Sequence, residues 1–229
     1  MALFLFNSSS AQTPGLGTWN LINFSKDFDS KWTSFFEAQI RSQQMYNNFF
    51  YHEYKGGFGY NVAKNFNVTL AAGQYVYYTP VGNLKSVTSS EFRLFQQFTL
   101  KGNVGRVKVD HRFRVEQRWT AEEYRNRYRY RLSATIPVNK KEVEKGAFYF
   151  NISDEIFLTN TKSHFERNRL FGAIGYQFTD IFAFQTGIMH QYDYRNSGAV
   201  TLKDYFHTSL LFSFEGRKTK SREHPDTRD

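Results

Sequence analysis

Hydrophobic and polar residues alternate along most of this chain with a period of two. In Gly105–Trp119 one parity carries Val107, Val109, His111, Phe113, Val115, Gln117 and Trp119, and the other carries Lys108, Asp110, Arg112, Arg114, Glu116 and Arg118. Tyr124–Val138 repeats the split: Tyr124, Tyr128, Tyr130, Leu132, Ala134, Ile136 and Val138 stand against Arg125, Arg127, Arg129, Arg131, Ser133 and Thr135. Successive side chains of a strand point to opposite faces, so each segment reads as a strand with one apolar and one charged face. Shorter stretches agree. Phe36, Ala38 and Ile40 oppose Glu37, Gln39 and Arg41, and Phe206, Leu210, Phe212 and Phe214 oppose His207, Ser209, Ser213 and Glu215. Asp154 falls on the apolar parity of 148–158, which predicts a bulge or a shifted register there.

The pattern predicts strands near 18–25, 32–43, 48–62, 65–79, 90–101, 105–119, 123–138, 146–159, 164–178, 181–195 and 204–215. That makes eleven, whereas bacterial single-chain barrels carry an even number. The expectation is therefore that 18–25 lies outside the wall, or that two strands are merged, with Gly56, Gly57 and Gly59 allowing a bulge or break in 48–62. The fold class predicted is all-β: a single antiparallel up-and-down transmembrane β-barrel of about ten to twelve strands over 13–216. Short turns are expected at 27–30, 63–65, 102–105 and 179–181, and longer loops at 80–90, 160–164 and 196–203. The 139–146 and 120–123 connections fit that alternation poorly. Residues 1–12, MALFLFNSSSAQ, resemble the end of a secretory signal peptide cleaved near Ala11, and 217–229 read as a charged, disordered tail.

Alternation does not say which face is inside. Composition does: 19% of residues are aromatic, with 25 Phe and 15 Tyr. Ten or so strands with four or five large apolar side chains each supply too many for one small soluble interior. Aromatics also collect near predicted strand ends, at Trp119, Tyr124, Tyr128 and Tyr130, at Tyr192 and Tyr194, and at Tyr75, Tyr77 and Tyr78. That is the placing of an interfacial girdle. A mean hydropathy of −0.60 is compatible with this, because alternation averages away the lipid-facing positions.

The charged face is then the lumen. A tight 119–124 loop sets Trp119 opposite Tyr124, and hence Glu116 opposite Arg127, Arg118 opposite Arg125, Arg114 opposite Arg129 and Arg112 opposite Arg131. The 179–181 turn sets Arg167 opposite Asp193. Three of these pairs join like charges, which requires carboxylates from elsewhere. The basic patch comprises Arg112, Arg114, Arg118, Arg125, Arg127, Arg129, Arg131, Arg167 and Arg169; its candidate acidic partners are Glu37, Glu53, Glu91, Glu116, Glu155 and Asp193. Two readings stay open: an anion-binding or anion-conducting lumen, or a salt-bridge network filling a narrow barrel. His52, His111, His164, His190 and His207 lack metal-ligand spacing, and Gly172, Gly175 and Gly187 read as strand packing, so no metal, cofactor or catalytic residue is assigned.

The segments GTWNLINFSKDF, SEFRLFQQF, RVKVDHRFRVEQRW, YRNRYRYRLSATIPV, FNISDEIFL and HTSLLFSF, between Gly17 and Gly216, resemble the DUF2490 family of Bacteroidetes-type outer-membrane barrels. The resemblance implies a location in the outer membrane of a Gram-negative bacterium and carries over no catalytic residue. The leading expectation is a non-enzymatic structural or interaction barrel with a largely occluded lumen. The alternatives are a narrow anion-preferring pore and an outer-membrane lipid-modifying enzyme. The implied partners are outer-membrane lipid and, for a basic lumen, an anionic solute or lipopolysaccharide. Nucleic acid fits poorly, because the basic residues would be enclosed.

Overall fold

The structure, a computed structural model, describes residues 10–12, 15–161, 164–195 and 197–215. The expected signal-peptide remnant lies outside them but for Ser10–Gln12, and the expected tail lies outside them entirely. The described residues form strands joined by turns and loops: β1 (Ser10–Gln12), β2 (Gly17–Asp27), β3 (Trp32–Gln44), β4 (Asn47–Ala63), β5 (Phe66–Tyr78), β6 (Val87–Val104), β7 (Val107–Trp119), β8 (Tyr124–Pro137), β9 (Phe148–Thr159), β10 (Phe165–Gln177), β11 (Phe182–Tyr194) and β12 (Val200–Phe214). Each of the eleven segments expected from the alternation is one of β2–β12.

These eleven strands close into a barrel. Neighbours from β2 to β12 pair antiparallel in chain order, and β12 pairs with β2 in parallel, from Tyr205 opposite Gly17 to Phe214 opposite Lys26. An up-and-down meander with an odd number of strands runs its first and last strands in the same direction, so a parallel seam is the one way to close it. The even-number rule therefore misled the strand count: 18–25 belongs to the wall. The 48–62 stretch is also one strand, paired with β3 without a break from Tyr51 to Tyr60. Gly57 is required there for another reason, since a Cβ at that position would collide with Ala71 and the carbonyl of Leu70. β1 pairs in parallel with the start of β12, Ser10 opposite Val200, ahead of the β2 seam.

The connection lengths alternate as expected except at 45–46, 120–123 and 138–147. One end of the barrel has connections at 28–31, 64–65, 105–106, 138–147 and 178–181; the other has them at 45–46, 79–86, 120–123, 160–164 and 195–199. Both ends mix two-residue turns with long loops, and 138–147 is the longest. The 28–31 turn is held by Asp29, whose carboxylate accepts the backbone N–H groups of Trp32 and Lys31, both at 2.7 Å, and whose pKa is lowered by those bonds.

The faces sort as the alternation requires. Phe36, Phe58, Leu70, Phe92, Phe113, Leu132, Phe150, Ile174 and Leu210 point outward and are exposed, while Glu37, Glu53, Glu91, Arg93, Arg112, Arg114, Glu116 and Arg129 point inward and are buried. The barrel is thus turned inside out relative to a soluble one, with its apolar face on the outside. Asp154 stands on this outer face within an unbroken register, and accepts a hydrogen bond from Asn168 Nδ2 at 2.5 Å. The bulge anticipated at Asp154 lies instead on β10, between Phe165 and Arg167.

The girdle expectation holds in part. Trp119, Tyr124, Tyr128 and Tyr194 are exposed on the outer face, whereas Tyr75 and Tyr77 turn into the lumen. Strand β5 carries no charged residue, so its sequence gave no contrast from which to read its inner face.

Gly175 shows how closely the interior is packed. Its absent side chain makes room for the ring of Tyr149 from the neighbouring strand, which is fully buried. Gly175→Val is expected to lower the barrel's unfolding temperature, at a cost of about 1–3 kcal/mol for overpacking. Adding Tyr149→Ala should recover part of the loss. An unchanged unfolding temperature in the single variant would contradict this packing.

Candidate functional site

The inward faces of β2–β12 meet in a charged interior that divides into two regions. On the β3–β4 side the charges balance. Lys55 Nζ bridges Glu37 Oε1 at 2.6 Å and Glu53 Oε1 at 2.7 Å, and Arg41 pairs with Glu53 at 3.4 Å. Arg41 also stacks on the indole of Trp19, 3.3 Å from the ring centroid, and on Tyr51. Trp19 Nε1 donates to Gln39 Oε1 at 2.8 Å, and Tyr51 donates its hydroxyl proton to Glu53.

The β6–β11 side is dominated by arginine. The register sets Trp119 opposite Tyr124, Glu116 opposite Arg127, Arg118 opposite Arg125, Arg114 opposite Arg129, Arg112 opposite Arg131, and Arg167 opposite Asp193, as the tight turns dictate. The like-charged pairs are relieved by carboxylates reaching across them. Glu116 has no exposed surface and takes Arg129 Nη1 at 2.6 Å and Arg114 Nη1 at 3.5 Å, with Arg127 and Arg93 at 3.8 and 3.9 Å. Glu155 accepts Arg112 Nη2 at 2.6 Å and a bidentate contact from Arg129, both at 3.0 Å. Glu91 accepts both Arg93 and Arg118, and Asp193 accepts Arg167. Charge-assisted and bidentate bonds of this kind are the strong ones.

Of the residues singled out from sequence, all nine arginines lie on inward positions, and so do the six acids. Arg125 sits at the rim, 3.5 Å from Glu123, apart from the buried network. Sequence reasoning missed Lys55, Arg41 and Arg93, though each shares parity with acids it did select. It also missed Glu166, which takes Arg127 and lies 3.6 Å from Arg118. Parity assigns Glu166 to the outer face; the bulge at Phe165/Arg167 sets it inward beside Arg167.

Aromatic rings line this interior as well. Arg93 stacks on Tyr75 at 3.7 Å, Arg114 on Phe95 at 4.3 Å, and Arg129 and Arg169 on Phe157 at 4.5 and 4.8 Å. A ring face attracts a desolvated cation by about 2 kcal/mol or more.

The model of DUF2490, described as a protein of unknown function, matches residues 16–201. The chain belongs to the DUF2490 family. No curated protein matches it, and no solved structure matches it either. For this DUF2490 barrel the chemistry of the interior is therefore the ground on which function is argued. Across β6–β11, with the rim pair Arg125–Glu123 set apart, nine inward arginines (Arg93, Arg112, Arg114, Arg118, Arg127, Arg129, Arg131, Arg167 and Arg169) face five carboxylates (Glu91, Glu116, Glu155, Glu166 and Asp193). Asp110 stands opposite Lys101 and lies 3.8 Å from Lys108, so it answers one of the two lysines. The region thus holds five more positive than negative charges.

Proposed function

We propose that this chain is an outer-membrane β-barrel of a Gram-negative bacterium whose lumen is plugged by its own side chains, and that it serves as a structural or interaction barrel, not as an enzyme. One observation carries the reading: the apolar face of the closed barrel is the outer one. Such a surface exceeds by far the few hundred Å2 of contiguous apolar patch tolerated on a soluble monomer. A closed barrel satisfies every strand edge, the condition for crossing a bilayer with strands.

The packing supports occlusion. Every strand from β2 to β12 carries buried inward side chains, with Arg112 and Arg114 among the largest that are fully buried. Small barrels are commonly filled in this way. The excess of positive charge favours anions if any solute passes, so an anion-preferring pore is the second reading. It requires the network around Glu116 and Glu155 to open. The outer wall offers less to a lipid-modifying enzyme. His190 Nδ1 is 2.7 Å from Asp204 Oδ1, but Ser133 and Ser153, on β8 and β9 along the same outer groove, point inward.

Refolded protein in a planar bilayer is expected to insert without stable conductance steps. Stable anion-selective steps, reduced by Arg129→Glu and Arg131→Glu, would overturn occlusion and favour the pore.

A further inference from the structure

At the end of the barrel that carries the 138–147 loop, the interior widens into an open cup of about 610 Å3. Sites for small ligands commonly measure about 300–1,000 Å3. Three successive connections form the rim. The 64–65 turn supplies Lys64, the 105–106 turn Arg106, and the 138–147 loop Lys141 and Glu142. Below them stand the inward positions Lys101 on β6 and Lys108 on β7, with the buried Thr135 of β8 opposite Lys108 in the register.

The long loop on one side of the cup is tied down. Asn139 Nδ2 donates to the carbonyl of Gly146 at 2.9 Å, and Asn139 Oδ1 accepts the backbone N–H of Phe148 at 2.7 Å. The N–H of Gly146 donates to the carbonyl of Gln177 at 2.8 Å, and Lys140 pairs with Glu144 at 3.4 Å. The cup is therefore shaped before any ligand arrives, which lowers the cost of binding.

Its charge is one-sided. Lys64, Lys101, Arg106, Lys108 and Lys141 line it against one carboxylate, Glu142. Asp110, one step deeper, answers only one of Lys101 and Lys108. Lys64, Arg106 and Lys141 form no ion pair among the described residues. A solvated lysine needs no partner, but cations brought from five elements into one concavity focus their field there and concentrate anions.

We propose that this cup binds a phosphate monoester, carried on a sugar or on a lipid headgroup, with Lys64, Arg106 and Lys141 closing on it at the rim and Lys108 reaching it from below. Such a group bears close to two negative charges at neutral pH. Arginine matches its oxygens as a fork, and lysine as a point charge. The cup draws on the mouth of the barrel, not on its lipid-facing wall or its buried network, so it stands or fails separately from the proposed location and occlusion.

The test uses the full chain refolded in detergent micelles. Calorimetric titration with fructose 1,6-bisphosphate is expected to show saturable binding at one site per barrel. Lys64→Gln, Arg106→Gln and Lys141→Gln, made singly at rim positions, should each weaken it about tenfold, the worth of one charge-assisted contact. Lys31→Gln, exposed at the same end but outside the cup, should leave it unchanged. Micelles doped with phosphatidic acid or phosphatidylcholine form the second arm, read by native mass spectrometry. Selective retention of phosphatidic acid, lost in the same three variants, would identify a lipid headgroup as the source, and binding of the bisphosphate alone would identify a soluble one. Absence of binding in both arms, or an equal loss in Lys31→Gln, overturns the proposal.

Discussion

Glu116→Gln is expected to cost the barrel about 3–5 kcal/mol of stability, the usual consequence of removing one partner from a buried ionic network. Glu116 is fully buried, lies 2.6 Å from Arg129, and has Arg114, Arg127 and Arg93 within 4 Å. The amide keeps the volume and one acceptor but removes the charge that holds four guanidinium groups at close quarters. The cross-strand pair Arg114–Arg129 then loses the carboxylate that the two share, while Arg129 keeps its contact to Glu155. Glu123→Gln, at the exposed rim beside Arg125, serves as the control and should change stability by less than about 1 kcal/mol. Denaturant unfolding of the refolded protein measures both. Equal, small effects at the two positions would mean that the interior is hydrated and that the network is not closed off from water.

The second large effect concerns the outer face. Phe113 lies midway along β7, points outward with 51% of its surface exposed, and packs against Tyr130 on β8 at 4.7 Å between ring centroids. Phe113→Arg is expected to cost about 2–4 kcal/mol in lipid, the penalty for a cation near the bilayer midplane on the lipid face of a barrel. For a barrel in water the same change would be nearly neutral and would improve solubility. Stability measured in lipid vesicles separates the cases, and a neutral Phe113→Arg there would argue against a bilayer around β7.

Most of the wall was legible in the sequence because period-two alternation with charges on one parity marks both strand and face. The interior register followed from one tight turn: once Trp119 is set opposite Tyr124, Glu116 must meet Arg127. Three things escaped. The parallel seam between β12 and β2 escaped because the evenness of known bacterial barrels outweighed a correct count of eleven. Glu166 escaped because a bulge has no period and moves one residue to the other face. Tyr75 and Tyr77 were set in the girdle because β5 lacks charge, so nothing in its sequence distinguishes lumen from lipid. The density of the interior, as at Gly175 beneath Tyr149, depends on how facing strands mesh and has no one-dimensional signature.

The three tryptophans of this chain allow a direct test of its inside-out arrangement. Trp19 is buried in the lumen beneath Arg41, while Trp32 and Trp119 are on the outer face at opposite ends of their strands, β3 and β7. Single-tryptophan variants, with the other two replaced by Phe, can be refolded into vesicles of lipids brominated at defined acyl-chain depths. Quenching of Trp32 and Trp119 by shallow bromines, with Trp19 unaffected at every depth, is the predicted result. A folded protein that stays in solution, or one whose three tryptophans are all indifferent to the brominated lipid, would contradict the account.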